Sequence, residues 1–141
     1  MTATEDIFLP AIALILWTLV YAGVMGYYRV RSAKEGKVDP RAFKTYADTS
    51  SFTDTMRKMS NHYDNLLMMP MLFYVIVIMV YITDSVDSVF IGLAWIYVGL
   101  RFVHSFIHLG RNNPIKRFMP FAGSALVLLI MLLKLAVGLA S

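Results

Sequence analysis

The chain has 141 residues, of which 58% are hydrophobic and 16% charged, with a formal net charge of +4 and a mean hydropathy of +0.63. So few charges cannot cover the surface of a soluble domain of this size, so lipid must cover much of the outside. Cysteine is absent, which excludes disulfides, thiolate metal sites, iron–sulfur clusters and a cysteine nucleophile.

A helix needs about 20 apolar residues to cross a bilayer. The first span is predicted over Ile7 to Tyr28, which holds no charged residue. A cleaved signal peptide is the competing reading of this segment. Acidic Glu5 and Asp6 stand in place of a basic start, and the apolar run is too long for one. The second span is predicted over 60–82, with a polar first third. The third, over 89–109, carries Arg101, His104 and His108. The fourth, over 118–140, has Lys134 as its one charge, near enough to the end to snorkel. Four spans leave no room for a second folded domain.

The connections alternate in charge. The first loop and its flanks hold Arg29, Arg31, Lys34, Lys37, Arg41, Lys44, Arg57 and Lys58. The second connection has only Asp84 and Asp87, and the third has Arg111, Lys116 and Arg117. The positive-inside rule places the first and third connections in the cytoplasm and both termini on the opposite side. Basic residues in these positions read as topology signals, and no nucleic-acid partner is expected. The expected architecture is an all-α, multi-pass membrane protein, an antiparallel four-helix bundle in contact with membrane lipids.

Ionisable groups inside a span are costly and are the first functional candidates. On the second span Arg57, Asn61 and Asn65 share one helical face, with Asp64 beside them. On the third, Arg101, His104 and His108 share another. Arg29 and Arg31 end the first span and Arg117 begins the fourth, so a cation-rich pocket is predicted where the cytoplasmic ends of the spans meet. Plainer readings stand beside each of these. Asn61 and Asn65 can simply tie neighbouring helices together. Arg101 can pair with Asp64 or a backbone carbonyl, and the loop cations can serve topology alone. Tyr74, Tyr81, Trp95 and Tyr97 fit interface belts or packing. Pro70 removes the donor for the Leu66 carbonyl, which predicts a kink beside Asn65. His104 and His108, with His62 or Asp64 as a third ligand, have metal-ligand spacing, but two histidines on one helix are a weak signal and no metal is expected.

The stretch Asn65-Leu-Leu-Met-Met-Pro-Met-Leu-Phe-Tyr74 resembles the second-helix signature of the MAPEG proteins (membrane-associated proteins in eicosanoid and glutathione metabolism). Leu100-Arg-Phe-Val-His-Ser-Phe-Ile-His-Leu-Gly110, followed by Asn113-Pro114 and Arg117, is similar to their third-helix and loop signature. The chain thus looks like a divergent, bacterial-type member. The resemblance implies a homotrimer in which glutathione lies between subunits near the cytoplasmic side, and a transferase or peroxidase acting on a lipophilic small molecule. Carried over residue by residue, Asn65 would hydrogen-bond the tripeptide, Arg29 or Arg31 would hold a carboxylate, and Arg117 would stabilise the thiolate as the catalytic residue. Asn61, Arg101, His104 and His108 would complete the glutathione site, with Arg101 or His108 orienting the ligand. A nearby cation favours the thiolate, the reactive form, and arginine keeps its charge at any working pH.

The sequence departs from that pattern at Met68, where the family usually has a glutamate for the glutathione amino group. His108 stands in place of a tyrosine, and Asn61 in place of an arginine. Two further readings therefore remain open beside the enzyme. One is a non-catalytic membrane module that binds lipid or serves as an accessory subunit of a membrane complex. The other is a small transporter or channel formed by a trimer.

Overall fold

The structure is a computed structural model and describes residues 4–44, 50–110 and 113–140; Arg111, one of the predicted topology cations, lies outside the described residues. A short 3₁₀ turn, Glu5–Ile7, leads into α1, Phe8–Lys34, and a second 3₁₀ turn, Pro40–Phe43, lies in the first loop. Three helices follow: α2, Asp54–Ile82; α3, Ser88–Leu109; and α4, Pro114–Ala140. All four α-helices are long and apolar enough to cross a membrane. Among the described residues there is no strand.

The helices run past the apolar spans because capping chemistry, not hydropathy, ends them. α1 continues through Arg29 and Arg31 to a Schellman closure, with Lys37 N bonding Ser32 O at 3.0 Å and Gly36 N bonding Ala33 O at 3.1 Å. Gly36 takes φ +67° there, a conformation that glycine adopts without steric penalty. α2 begins where the Thr53 hydroxyl accepts from Met56 N at 3.3 Å, and α3 where the Asp87 carboxylate accepts from Phe90 N at 2.8 Å. α4 starts on Pro114, whose missing N–H costs nothing at a first helical position. Pro70 and Pro120 both lie inside helices that continue past them.

The connections between α2 and α3 and between α3 and α4 are short, so successive helices run antiparallel. α2 and α3 each pack against all three other helices, which makes them the centre of the bundle. Ile7, Leu14, Phe73, Val77, Val80, Phe90, Ala94 and Met131 fill the core. The outer faces are apolar as well: Leu19, Met71, Ile78, Ile96, Leu133 and Val137 are exposed. An apolar exterior around a core that also buries Arg101 and three histidines is the pattern of a protein solvated by lipid. The protein is therefore an integral, multi-pass membrane bundle.

The antiparallel order gathers the cationic helix ends at one end of the molecule. Lys58 at the start of α2 donates to Leu109 O at 2.7 Å and Gly110 O at 2.6 Å, capping the last carbonyls of α3. At the other end, Lys134 pairs with Asp87 at 2.6 Å and lies 4.1 Å from the centre of the Phe90 ring. The one charge of the fourth span is thus satisfied by the α3 N-cap.

Candidate functional site

Residues 101, 104, 105 and 108 lie on one face of α3, and all four are buried. That face continues the stripe Phe90, Ala94, Tyr97 and Val98, so its spacing directs a basic patch into the bundle as firmly as it directs the apolar residues. Arg101 is 1% exposed. Its Nη2 donates to the Ser124 hydroxyl on α4, and its guanidinium sits 5.4 Å and 5.3 Å from the ring centres of Tyr97 and Phe121. The sequence suggested Asp64 or a carbonyl as partner; the small hydroxyl of Ser124, on the buried face of α4, takes that place.

Arg117 joins the two ends of the α3–α4 connection. Its Nη1 lies 2.9 Å from His108 Nε2, and its backbone carbonyl lies 3.1 Å from His104 Nδ1. One residue therefore engages two histidines a helical turn apart. His62 of α2 packs behind them with no exposed surface. Its ring centre is 4.8 Å from that of His108 and 6.2 Å from that of His104. The Tyr21 ring of α1 meets it edge-on at 4.7 Å, and the Tyr21 hydroxyl donates to Met59 O at 3.0 Å. Both nitrogens of His62, Nε2 of His104 and Nδ1 of His108 are buried without a hydrogen-bond partner among the described residues.

Beside this cluster is a cavity of about 360 Å³ lined by Asn65, His104, Pro114, Arg117, Phe118 and Phe121. A cation, an amide and an imidazole thus share one concave surface with two aromatic rings. Asn65 is half-buried and donates back to Asn61 O at 2.8 Å. An apolar cavity of about 340 Å³ lies between α1 and α2, lined by Ile15, Leu19, Leu66, Leu67, Met71 and Tyr74 among others. On the α4 side of α2, the side on which Asn65 and Phe121 line the polar cavity, an apolar cavity of about 310 Å³ is lined by Met69, Leu72, Val75, Ala125, Leu128 and Leu132 among others.

The predicted site is therefore brought together in part. Asn65, His104 and Arg117 line the cavity, with His108 and Arg101 directly behind. Arg29 lies elsewhere, donating to Ser60 Oγ at 2.9 Å and stacked near Phe43 and Phe52 of the first loop. Arg31 is exposed and pairs with Glu35 at 2.7 Å, and Lys37 reaches the same carboxylate. These two cations hold the Glu35 carboxyl at about 2, well below its ordinary range, with the bond from Lys37 the larger cause. Asn61 is exposed, and Met68 is 72% exposed on the outer face of α2. Neither lines the cavity.

The sequence considered His62 only as a third metal ligand. It falls in register with Leu66, Phe73, Val77 and Val80, the buried stripe of α2, and that register was the signal for its central position. Among the described residues no group of three or more acidic or histidine side chains is arranged to hold a metal ion. The profile of the MAPEG family matches residues 7–137, nearly the whole chain. No curated protein and no solved structure matches it.

Proposed function

The chain belongs to the MAPEG family, and from that premise we propose that it is a glutathione-dependent transferase acting on lipophilic electrophiles, with its thiol site in the Asn65–His104–Arg117 cavity. The observation that carries this reading is the position of Arg117 on the wall of a cavity that also presents Asn65 and His104. A fixed guanidinium beside a thiol lowers the free energy of the thiolate relative to the thiol. The side-chain bond to His108 fixes that guanidinium before any ligand arrives, which is the condition for effective electrostatic stabilisation. Asn65 supplies the amide complement to a peptide ligand.

In the reaction the sulfur loses its proton and forms a bond to an electrophilic carbon. The leaving group, chloride for a chlorinated aromatic, departs with the bonding electrons. The apolar cavity between α2 and α4 suits the lipophilic partner, since its lining is wholly apolar and belongs to the same helix pair as Asn65 and Phe121. The residues fit the anionic and amide parts of glutathione. The lining offers no carboxylate for its ammonium group, so binding is expected to be weaker than in a site that has one. The positive-inside rule places this end in the cytoplasm, where glutathione is available. A homotrimer, as the family resemblance implies, would cover part of the apolar exterior.

The exposed Met68 favours a second reading, a non-catalytic membrane module on the same scaffold, because a thioether cannot bind the ammonium group. The two separate on one experiment: conjugation of glutathione to a chlorinated aromatic by purified protein, wild type against Arg117→Ala. Turnover by wild type that falls in the variant supports the transferase. No thermal shift with millimolar glutathione and no conjugation would leave the module.

A further inference from the structure

Resting on the thiol reading above, we propose that His104 is the base that takes the thiol proton, and that Arg117 sets it in that role through its backbone carbonyl. A carbonyl oxygen only accepts, so the contact between His104 Nδ1 and Arg117 O at 3.1 Å requires the proton on Nδ1. In the neutral ring the lone pair is then on Nε2. At His108 the assignment is reversed. Arginine only donates, so the 2.9 Å contact from Arg117 Nη1 places the lone pair on His108 Nε2 and the proton on Nδ1. One arginine thereby fixes opposite tautomers in two histidines on the same face of α3. His104 keeps an unused acceptor and His108 an unused donor, both buried without a partner among the described residues.

Of the three histidines only His104 lines the cavity. Among the lining side chains it alone carries a basic nitrogen lone pair, since an amide and a guanidinium have none. His104 is 4% exposed, so a proton placed on it is held within the site while the thiolate reacts. The charged and titratable groups around it are Arg101 and His108 on its own helix, Arg117 on α4 and His62 on α2, the last with Tyr21 of α1 against it. The step balances simply: the S–H bond breaks, Nε2 gains the proton, and the sulfur keeps the electron pair. After the carbon–sulfur bond forms and the leaving group departs, the proton passes to solvent. Arg117 stabilises the thiolate, and His104 removes the need to expel a proton into water from a buried site.

Calorimetry of glutathione binding to the purified full chain, run in buffers of different ionisation enthalpy and paired with the ultraviolet thiolate band, tests this on the wild type. The expected result is a thiolate band without net proton release, because the proton moves from sulfur to His104. In His104→Asn the amide nitrogen still reaches the Arg117 carbonyl but the base is gone. Turnover at neutral pH should fall about 10²- to 10⁴-fold with KM little changed, and recover as alkaline pH ionises the thiol directly. Retained binding of S-methylglutathione shows that the variant folds; should it not, the wild-type proton count decides alone. A thiolate band accompanied by release of a proton for every thiolate would overturn the role of His104 and leave the transferase reading standing. So would an unchanged pH profile in His104→Asn. No binding of glutathione by the wild type would overturn both.

Discussion

The Arg117 guanidinium donates to His108 Nε2 at 2.9 Å, tying the first turn of α4 to the last turn of α3 across their connection. The Arg117 side chain is thereby oriented from one side by a buried ring, while its other face borders the cavity with Asn65 and His104. A charge that does not have to reorient during reaction stabilises a developing anion more effectively than a mobile one.

Arg117→Ala should therefore reduce the conjugation rate about 10²- to 10³-fold, on the scale of removing one preorganised donor. Arg117→Lys should restore only part of it, because an ammonium has no planar fork to reach His108 and the cavity together. Steady-state rates with a chlorinated aromatic electrophile check both.

Met68→Glu should tighten glutathione binding by about tenfold, a gain of about 1.4 kcal/mol. Met68 is 72% exposed, so a carboxylate there costs little to solvate and lies one helical turn from Asn65. Titration of glutathione against the variant and the wild type measures the change. No gain would place the ammonium group of the ligand elsewhere.

Ser124→Ala should destabilise the bundle by about 1–3 kcal/mol, the cost of leaving a buried polar group without its partner. The loss falls on Arg101, which is 1% exposed and donates to that hydroxyl. Thermal unfolding in detergent is the measurement. Paired with Arg101→Met, the cycle should show coupling, since removal of both groups leaves no orphaned donor.

Asp87→Ala should cost about 1 kcal/mol through loss of the α3 N-cap. The Asp87 carboxyl is held below its ordinary range, first by the bond from Lys134 and then by the backbone N–H of Phe90. A lowered folded value means that its contribution is present above the unfolded carboxylate range and is lost as pH falls through the folded value. Asp87→Asn keeps the cap but loses the ion pair to Lys134, so it should melt below the wild type at neutral pH, converge with it in acid, and flatten the acid side of the melting-temperature profile.

The bundle was legible because lipid imposes a strong rule: four long apolar runs leave one class of solution. The helix ends were not legible from hydropathy, since Arg29, Arg31 and Arg57 continue helices beyond the apolar runs and local caps decide where they stop. In the site, the α3 face was readable because Arg101, His104 and His108 follow helical spacing. The partner of Arg101 was not readable, because spacing within one helix says nothing about which residue of another helix lies opposite; Ser124 is 23 positions away. Arg29 and Arg31 fall at the right end of the right helix, yet Ser60 and Glu35 draw them away from the cavity. Charge at a helix end is cheap to place, and a local acceptor is enough to redirect it.

The most direct test of the thiol site is glutathione binding to the purified protein in detergent or nanodiscs, followed by the thiolate absorbance band, for wild type and Arg117→Ala. Saturable binding with a thiolate band at neutral pH, the band lost in Arg117→Ala, is the predicted result. Absence of saturable binding to the wild type at millimolar glutathione, or a thiolate band indifferent to Arg117, would contradict it.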